Sequence, residues 1–237
     1  MKVIIVGNMR SGTTVINESL GCPSELSLTH EILHSSSEGG NVTWRDAYWP
    51  SDLFHSSNIN NKKKQPVYID IISQVLEMYD GFKIVYDQLH SQSQLWTFLT
   101  NQCRIIHLLR DDKFQMAASA ALSTANGKWQ RKPSESWKDK PIFIDPDWLA
   151  TNIERSEQWE EDFRKMLPDA LEVHYEDFEE WDKTMSRILK FLDLKQETLP
   201  PTLAKRTTNY SEVITNYKKL KTDPKFHKYF KSLKYFL

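Results

Sequence analysis

Val3-Ile4-Ile5-Val6-Gly7-Asn8-Met9-Arg10-Ser11-Gly12-Thr13-Thr14 joins an unbroken apolar run to a glycine-bounded turn rich in hydroxyls. The run Val3–Val6 predicts a strand buried on both faces, as in a parallel sheet. The glycines let backbone approach an anion, and the free N–H groups of a helix opening at Thr13 point at it. The P-loop pattern GxxxxGK[ST] fits Gly7, Gly12 and Thr14 but finds Thr13 where it needs lysine. Arg10 supplies a cation inside the loop instead. The missing lysine is the one that reaches the β/γ-phosphates of a nucleoside triphosphate. The loop therefore suits a single phosphate or a phosphosulfate better than triphosphate cleavage. An ordinary strand–turn–helix junction is the bland alternative.

Similar apolar runs recur at Phe82–Tyr86, Cys103–Leu109 and Ala170–His174. Helical stretches lie between them, at Thr13–Leu20, Tyr68–Tyr79, Ser91–Leu99 and the alanine-rich Asp112–Thr124. Pro146 suits a first helical turn after an Asp145 cap. Leu149, Ile153, Phe163 and Leu167 follow near helical spacing until Pro168. A last clear helix covers Phe178–Leu192, with Met185, Ile188, Leu189 and Leu192 as its apolar face. Strand and helix alternate throughout. The expected class is α/β, a P-loop-like three-layer fold with a mostly parallel central sheet flanked by helices.

The 237 residues fit one domain. Eight Trp, nine Tyr and eleven Phe exclude bulk disorder. With 31 Lys+Arg against 32 Asp+Glu, no global field recruits nucleic acid. No apolar run approaches the roughly 20 residues that span a bilayer. The N-terminus lacks a signal-peptide core and cleavage site. Cys22 and Cys103 form neither a CxxC pair nor a metal spacing, and no other cluster has metal-ligand spacing. A cytoplasmic protein of a reducing compartment, without metal, is expected.

A second motif follows the strand at Cys103–Leu109. Arg110 lies at the carboxyl end of a predicted parallel strand, where the ligand crevice of such sheets lies. Ser119 falls about two turns into the next helix, so both can reach one phosphate group. A surface ion pair of Arg110 with Asp111 or Asp112 is the alternative.

Together these motifs resemble the sulfotransferases that use 3′-phosphoadenosine 5′-phosphosulfate (PAPS). In that family a [KR]SGTT loop after the first strand holds the 5′-phosphosulfate; here it reads Arg10-Ser11-Gly12-Thr13-Thr14. An arginine at a strand end and a serine in the following helix hold the 3′-phosphate, roles that Arg110 and Ser119 match. Ser119 lies nine positions after Arg110, the spacing of the bacterial trehalose sulfotransferase type, and Trp129 lies ten beyond Ser119, also as in that type. Leu28-Thr29-His30-Glu31-Ile32 resembles its GxPxExF segment, and Gly81–Gln88 its GGKxMWxQ strand. His174–Phe178 with Ile188–Leu194 resembles a strand–helix run seen across sulfotransferases. Tyr210–Tyr217 resembles a late SDEWxxxY segment. The order of motifs holds from residue 3 to about 217. Ser27, Thr29 and Val213 depart from the glycine, proline and tryptophan of the pattern, departures that bear on the acceptor more than on the donor.

The resemblance implies PAPS as donor, PAP as product, and a hydroxyl acceptor of carbohydrate or glycolipid type. Arg10 and the amides of Ser11–Thr14 take up charge on the leaving phosphate, and Glu31 is the general base. His30 and His34 compete for that role, since histidine is the usual base near neutral pH. A first-turn helix carboxylate is the plain alternative for Glu31. Lys83, on a predicted strand, faces the crevice and contacts acceptor or sulfate, or else snorkels from an edge strand. Arg206, beside Lys205 on a late loop, either joins Arg110 at the 3′-phosphate or belongs to a solvated surface pair. Trp129 lines the acceptor pocket.

Residues 1–217 make one expected domain, with 35–65 and 126–144 as lid or substrate loops. Residues 218–237 hold seven Lys and one Asp. Phe226, Phe230, Leu233 and Leu237 fall on one helical face. That basic amphipathic tail docks on the domain or a partner subunit, or rests on an anionic membrane surface. The trehalose type implies a homodimer. Two other functions stay open: a P-loop kinase of small molecules or nucleosides using Mg·ATP, with Asp87 as the metal carboxylate, and a PAP sensor without turnover.

Overall fold

In the computed structural model Val3–Gly7 forms the first strand, and every residue of it is buried. The structure describes residues 1–21, 26–32, 65–89, 93–136, 138–195, 197, 199–205 and 209–231. Five strands are present among them: β1 (Val3–Gly7), β2 (Leu28–Thr29), β3 (Gly81–Val85), β4 (Arg104–Leu109) and β5 (Leu171–His174). The helices are α1 (Thr13–Gly21), α2 (Gln65–Met78), α3 (Tyr86–Leu89), α4 (Ser93–Gln102), α5 (Lys113–Asn126), α6 (Pro146–Met166), α7 (Trp181–Phe191), α8 (Tyr210–Val213), α9 (Tyr217–Thr222) and α10 (His227–Lys231). The described residues also include two 3₁₀ turns, Tyr175–Glu180 and Pro224–Phe226. No described helix is long and apolar enough to cross a membrane.

The chain divides into two units. Met1–Leu109 with Glu160–Pro201 form the first, and Arg110–Trp159 with Thr202–Leu237 the second. The first unit holds the whole sheet, ordered β2-β3-β1-β4-β5 and parallel at every pairing. The mostly parallel α/β sheet read from the sequence is therefore present. Ile5 stands opposite Lys83 on one side and Ile106 on the other. One face is covered by Ile16 and Leu20 of α1 and by Met185, Ile188 and Leu189 of α7, packed on Val3, Ile5, Ile106, Leu108 and Val173. Ring stacking also orders this unit: Phe163 lies 4.4 Å from Tyr86 in near-parallel stacking and 5.1 Å from Trp96 edge-on.

Element limits differ from the sequence reading by a few residues at most ends, and three differences bear on the site. β3 stops at Val85 rather than Tyr86, because Tyr86 opens α3 and the Val85 amide is taken up by the Gln88 side chain at 3.1 Å. The helix expected from Phe178 begins as a 3₁₀ turn and becomes α-helical only at Trp181. β2 is a two-residue strand with no periodicity to reveal it.

The second unit is helical. Phe114, Ala118 and Leu122 of α5 pack with Leu149 and Ile153 of α6 and with Tyr210, Ile214, Leu220 and Phe226. Asn216 brackets Ile144, accepting its amide at 3.1 Å and donating to its carbonyl at 2.8 Å. Asn126 closes the preceding loop, its side chain accepting from the Lys140 amide at 2.8 Å. Pro224 interrupts the tail between α9 and α10. Phe226 is fully buried, and Phe230 lies 4.5 Å from the ring of Phe114. Lys225 and Lys228 pair with Asp147 and Glu157 of α6.

Two substitutions test this packing. A Cβ on Gly81 would sit 1.8 Å from the Val3 carbonyl oxygen, inside the β1–β3 ladder. Gly81→Ala is expected to destabilise at or beyond the upper end of the ~1–3 kcal/mol typical of overpacking, read as loss of the folding transition in thermal melting. Phe226→Ala empties a core position and should cost about 3–5 kcal/mol in chemical denaturation. A cost near zero would mean that the tail does not dock where the structure puts it.

Candidate active site

In a parallel sheet all carboxyl ends share one edge, and open α/β sheets bind their ligands there. On that edge of the first unit β1 runs into the glycine loop, β2 into His30 and Glu31, and β3 into α3.

The loop is shaped by its backbone. Arg10 has φ 68° and Gly12 φ 95°. Holding a non-glycine residue in the left-handed region costs about 1–3 kcal/mol, so the surrounding loop must impose it. Left-handed residues on either side of Ser11 curl the backbone into a tight turn, the kind of concavity that anion-binding nests use. At Gly12 a Cβ would meet the Phe178 ring at 2.5 Å, so only glycine lets the loop pass beneath that ring. Asn8 closes the loop. Its carbonyl accepts the Ser11 hydroxyl at 2.7 Å and the Ser11 amide at 3.2 Å, and its side chain accepts the Met9 amide at 2.8 Å. Ser11 thus directs both of its donors at Asn8 and serves the shape of the loop. The first backbone bond entering α1 runs from the Ile16 amide to the Gly12 carbonyl, at 3.3 Å. The N–H groups before it are those that a helix start leaves for caps or ligands.

Lys83 brings to the end of the loop the ammonium that position 13 lacks. It sits mid-strand in β3 and is only 5% exposed. Its ammonium donates to Thr14 Oγ1 at 2.8 Å and to Glu31 Oε1 in a close ion pair. Two of its three donors are therefore engaged among the described residues. Because Thr14 Oγ1 accepts from Lys83, its own O–H proton is directed elsewhere. The other carboxylate oxygen of Glu31 accepts from Gln88 Nε2 at 3.2 Å. Glu31 lies just beyond β2, in backbone that is neither strand nor helix. Lys83 does not snorkel: it is buried against a carboxylate and a hydroxyl.

Behind the site, the Tyr86 hydroxyl lies 2.6 Å from His107 Nε2, with both side chains buried. Burial, with Glu160 adding negative charge, Arg164 opposing it and Glu172 adding a little more, holds the Tyr86 phenol well above its ordinary range. It stays a neutral hydrogen-bonding group.

In the second unit Arg110 is 5% and Ser119 4% exposed, so Arg110 is no surface arginine. Asp112 caps α5 by accepting the Gln115 amide at 2.8 Å, and Lys113 donates to the Arg110 carbonyl. Trp129 is 43% exposed in the loop that Asn126 closes. Asp87 is exposed at the start of α3. His34 and Arg206 lie outside the described residues, as does most of the 35–65 loop.

The structure thus brings Thr14, Lys83 and Glu31 together in one hydrogen-bonded chain. Gln88 is the member that sequence reasoning missed as a site residue, although it closes the Gly81–Gln88 segment whose pattern drew notice.

The sequence model of the Sulfotransferase family matches residues 2–198. Among solved structures, the chain is similar to the sulfotransferase domain of the Synechococcus PCC 7002 olefin synthase. That likeness has 16% identity and a TM-score of 0.46, over 96% of this chain and 82% of that one. It is similar also to a sulfotransferase from Alicyclobacillus acidocaldarius, with 12% identity and a TM-score of 0.48, over 89% of this chain and 88% of that one. No curated protein matches it. A family match that begins ahead of the glycine loop and runs past α7 covers every element of the parallel sheet, and with it the chain belongs to the sulfotransferase family, whose chemistry is sulfuryl transfer.

Proposed function

We propose that this protein transfers the sulfuryl group of PAPS to a hydroxyl of a carbohydrate-like acceptor, with Glu31 as the general base. The observation that carries the reading is the Thr14–Lys83–Glu31 chain. It ties the end of the phosphate loop to a carboxylate through one buried ammonium. Sulfuryl transfer needs an anion cradle for the leaving phosphate, a cation near the transferring group and a base at the attacking oxygen. The three residues supply those functions side by side.

The residues fit PAPS in kind. The Arg10–Gly12 nest and the first amides of α1 suit the 5′-phosphosulfate. Thr14, its oxygen already accepting from Lys83, offers a hydroxyl proton to an anionic oxygen. Following the family pattern, Arg110 and Ser119 take the 3′-phosphate. A sugar hydroxyl is a poor nucleophile. Glu31 accepts its proton as the oxygen attacks sulfur in line and the bond to the 5′-phosphate opens. Arg10, the loop amides and Lys83 take up the charge that gathers on the leaving phosphate. The exposed face of Trp129 suits the flat apolar side of a sugar ring.

The same contacts weigh against Mg·ATP phosphoryl transfer. In P-loop NTPases the hydroxyl equivalent to Thr14 holds magnesium. Here an ammonium lies 2.8 Å from that oxygen and competes for its lone pairs.

Two measurements test the reading. PAP at about 100 times its Kd should stabilise the native protein by about 2.7 kcal/mol, seen as a raised melting temperature. The shift should be unaffected by EDTA and lost in Arg110→Ala, measured from that variant's own ligand-free melting point. A shift with Mg·ATP alone would overturn the proposal. Glu31→Gln should keep the PAP shift while PAPS turnover falls by roughly 10²- to 10⁴-fold, the usual worth of a general base. Full turnover in that variant would assign the base elsewhere.

A further inference from the structure

Gln88 touches Glu31 without belonging to the phosphate loop or to the pairs that hold PAP in the reading above. Its side chain is 6% exposed and makes two directional bonds. Oε1 accepts the Val85 amide at 3.1 Å, and Nε2 donates to Glu31 Oε2 at 3.2 Å. These bonds fix each other. A backbone N–H only donates, so the atom facing Val85 must be the oxygen. A carboxylate only accepts, so the atom facing Glu31 must be the nitrogen. Flipping the amide would break both bonds at once.

The turn that carries Gln88 is itself anchored. Tyr86, two residues earlier, is 1% exposed, stacked 4.4 Å from Phe163 and bonded to His107 at 2.6 Å. The backbone on either side of Gln88 is thereby held by the end of β3 and by this aromatic cluster. Glu31 follows a two-residue strand, in backbone that is neither strand nor helix. Its orientation comes from the two donors on its two oxygens, Lys83 on Oε1 and Gln88 on Oε2.

The donors differ in kind. Lys83 brings full charge and is shared with Thr14, so its bond to Glu31 competes with any anion at the loop. Gln88 is neutral and has no such competitor among the described residues. We infer that Gln88 is the positioning residue of this site: it clamps the Glu31 carboxylate from the β3–α3 turn and holds its Oε1 edge in place for the acceptor hydroxyl as Lys83 engages the transferring group. This role rests on the proposed function, because it presumes that Glu31 takes the acceptor's proton.

Gln88→Glu separates the clamp from packing. The substitution is nearly isosteric and keeps an oxygen for the Val85 amide. It replaces the donor to Glu31 by a second carboxylate oxygen. Four proteins are compared: wild type, Gln88→Glu, Glu31→Gln and the double variant. PAP release from PAPS is measured with a panel of mono- and disaccharides, and with water alone. Melting temperature is measured with and without PAP. The expected result is a kcat lowered roughly 10- to 100-fold in Gln88→Glu, the scale of a misplaced reacting group, with the KM for PAPS and the PAP-induced shift retained. Gln88→Glu should also lower the melting temperature in the wild-type background and not in the Glu31→Gln background. Wild-type turnover in Gln88→Glu, or the same loss of melting temperature in both backgrounds, would overturn the clamp while leaving the sulfotransferase reading intact. If the wild type releases no PAP from PAPS with any acceptor and Glu31→Gln changes nothing, the functional reading falls and takes this role with it, even where the melting cycle preserves the contact.

Discussion

A lysine buried in the middle of a parallel strand is the constraint around which this site is organised. Lys83 is 5% exposed and has Ile5 as its register partner in β1, a position that hydrophobic residues normally fill. A buried ammonium needs an anionic partner and filled hydrogen bonds to offset its lost hydration. Glu31 provides the charge and Thr14 the second acceptor. Each partner comes from a different element: one follows β2, the other opens α1. The need to satisfy one cation therefore draws the short edge strand and the first helix toward the same strand. A buried ion pair is weak evidence for stability, since two well-packed apolar side chains can do as well. Its retention here is better explained by what the charge does at the loop.

That view also accounts for the sequence of the loop. A P-loop carries its lysine at the helix start, where Thr13 stands. In this chain the cation reaches the loop from β3, so position 13 is free to be buried; Thr13 is 4% exposed. The cation approaches from the strand side and meets the hydroxyl of Thr14. Arg10 adds a second positive group from within the loop, at the cost of a left-handed backbone. Asn8 and Ser11 stabilise that backbone by bonds internal to the turn. Residues that read as equivalent ligands in a motif thus divide into two groups. Some shape the loop, and others present donors to what it holds.

The legible parts of the fold were those with strong local signals. The runs at Val3–Val6, Phe82–Tyr86 and Cys103–Leu109 read as buried strands because parallel strands covered on both faces are near-continuously apolar. The face of α7 read correctly because Met185, Ile188, Leu189 and Leu192 recur at helical spacing and do enter one core. β2 gave no signal, since two residues cannot show a period. Its place is decided by pairing with Gly81 and Phe82. Strand-end Tyr86 misled because a tyrosine fits a strand as well as the first position of a helix. Its buried bond to His107 depends on a strand 21 residues away in sequence.

The site followed the same rule. Glu31, Lys83 and Thr14 could each be singled out as chemistry-bearing residues, but their contact spans separations of 52 and 69 residues and exists only through the sheet register. Gln88 was harder still. A glutamine beyond a strand end carries no charge and no titration, and ordinarily reads as a solvated side chain. What distinguishes it is the pairing of its two ends, one with a backbone donor and one with a carboxylate. The amide meets the carboxylate with one end and a strand-end N–H with the other, so the direction of that carboxylate oxygen is tied to the end of β3 as well as to the buried ammonium.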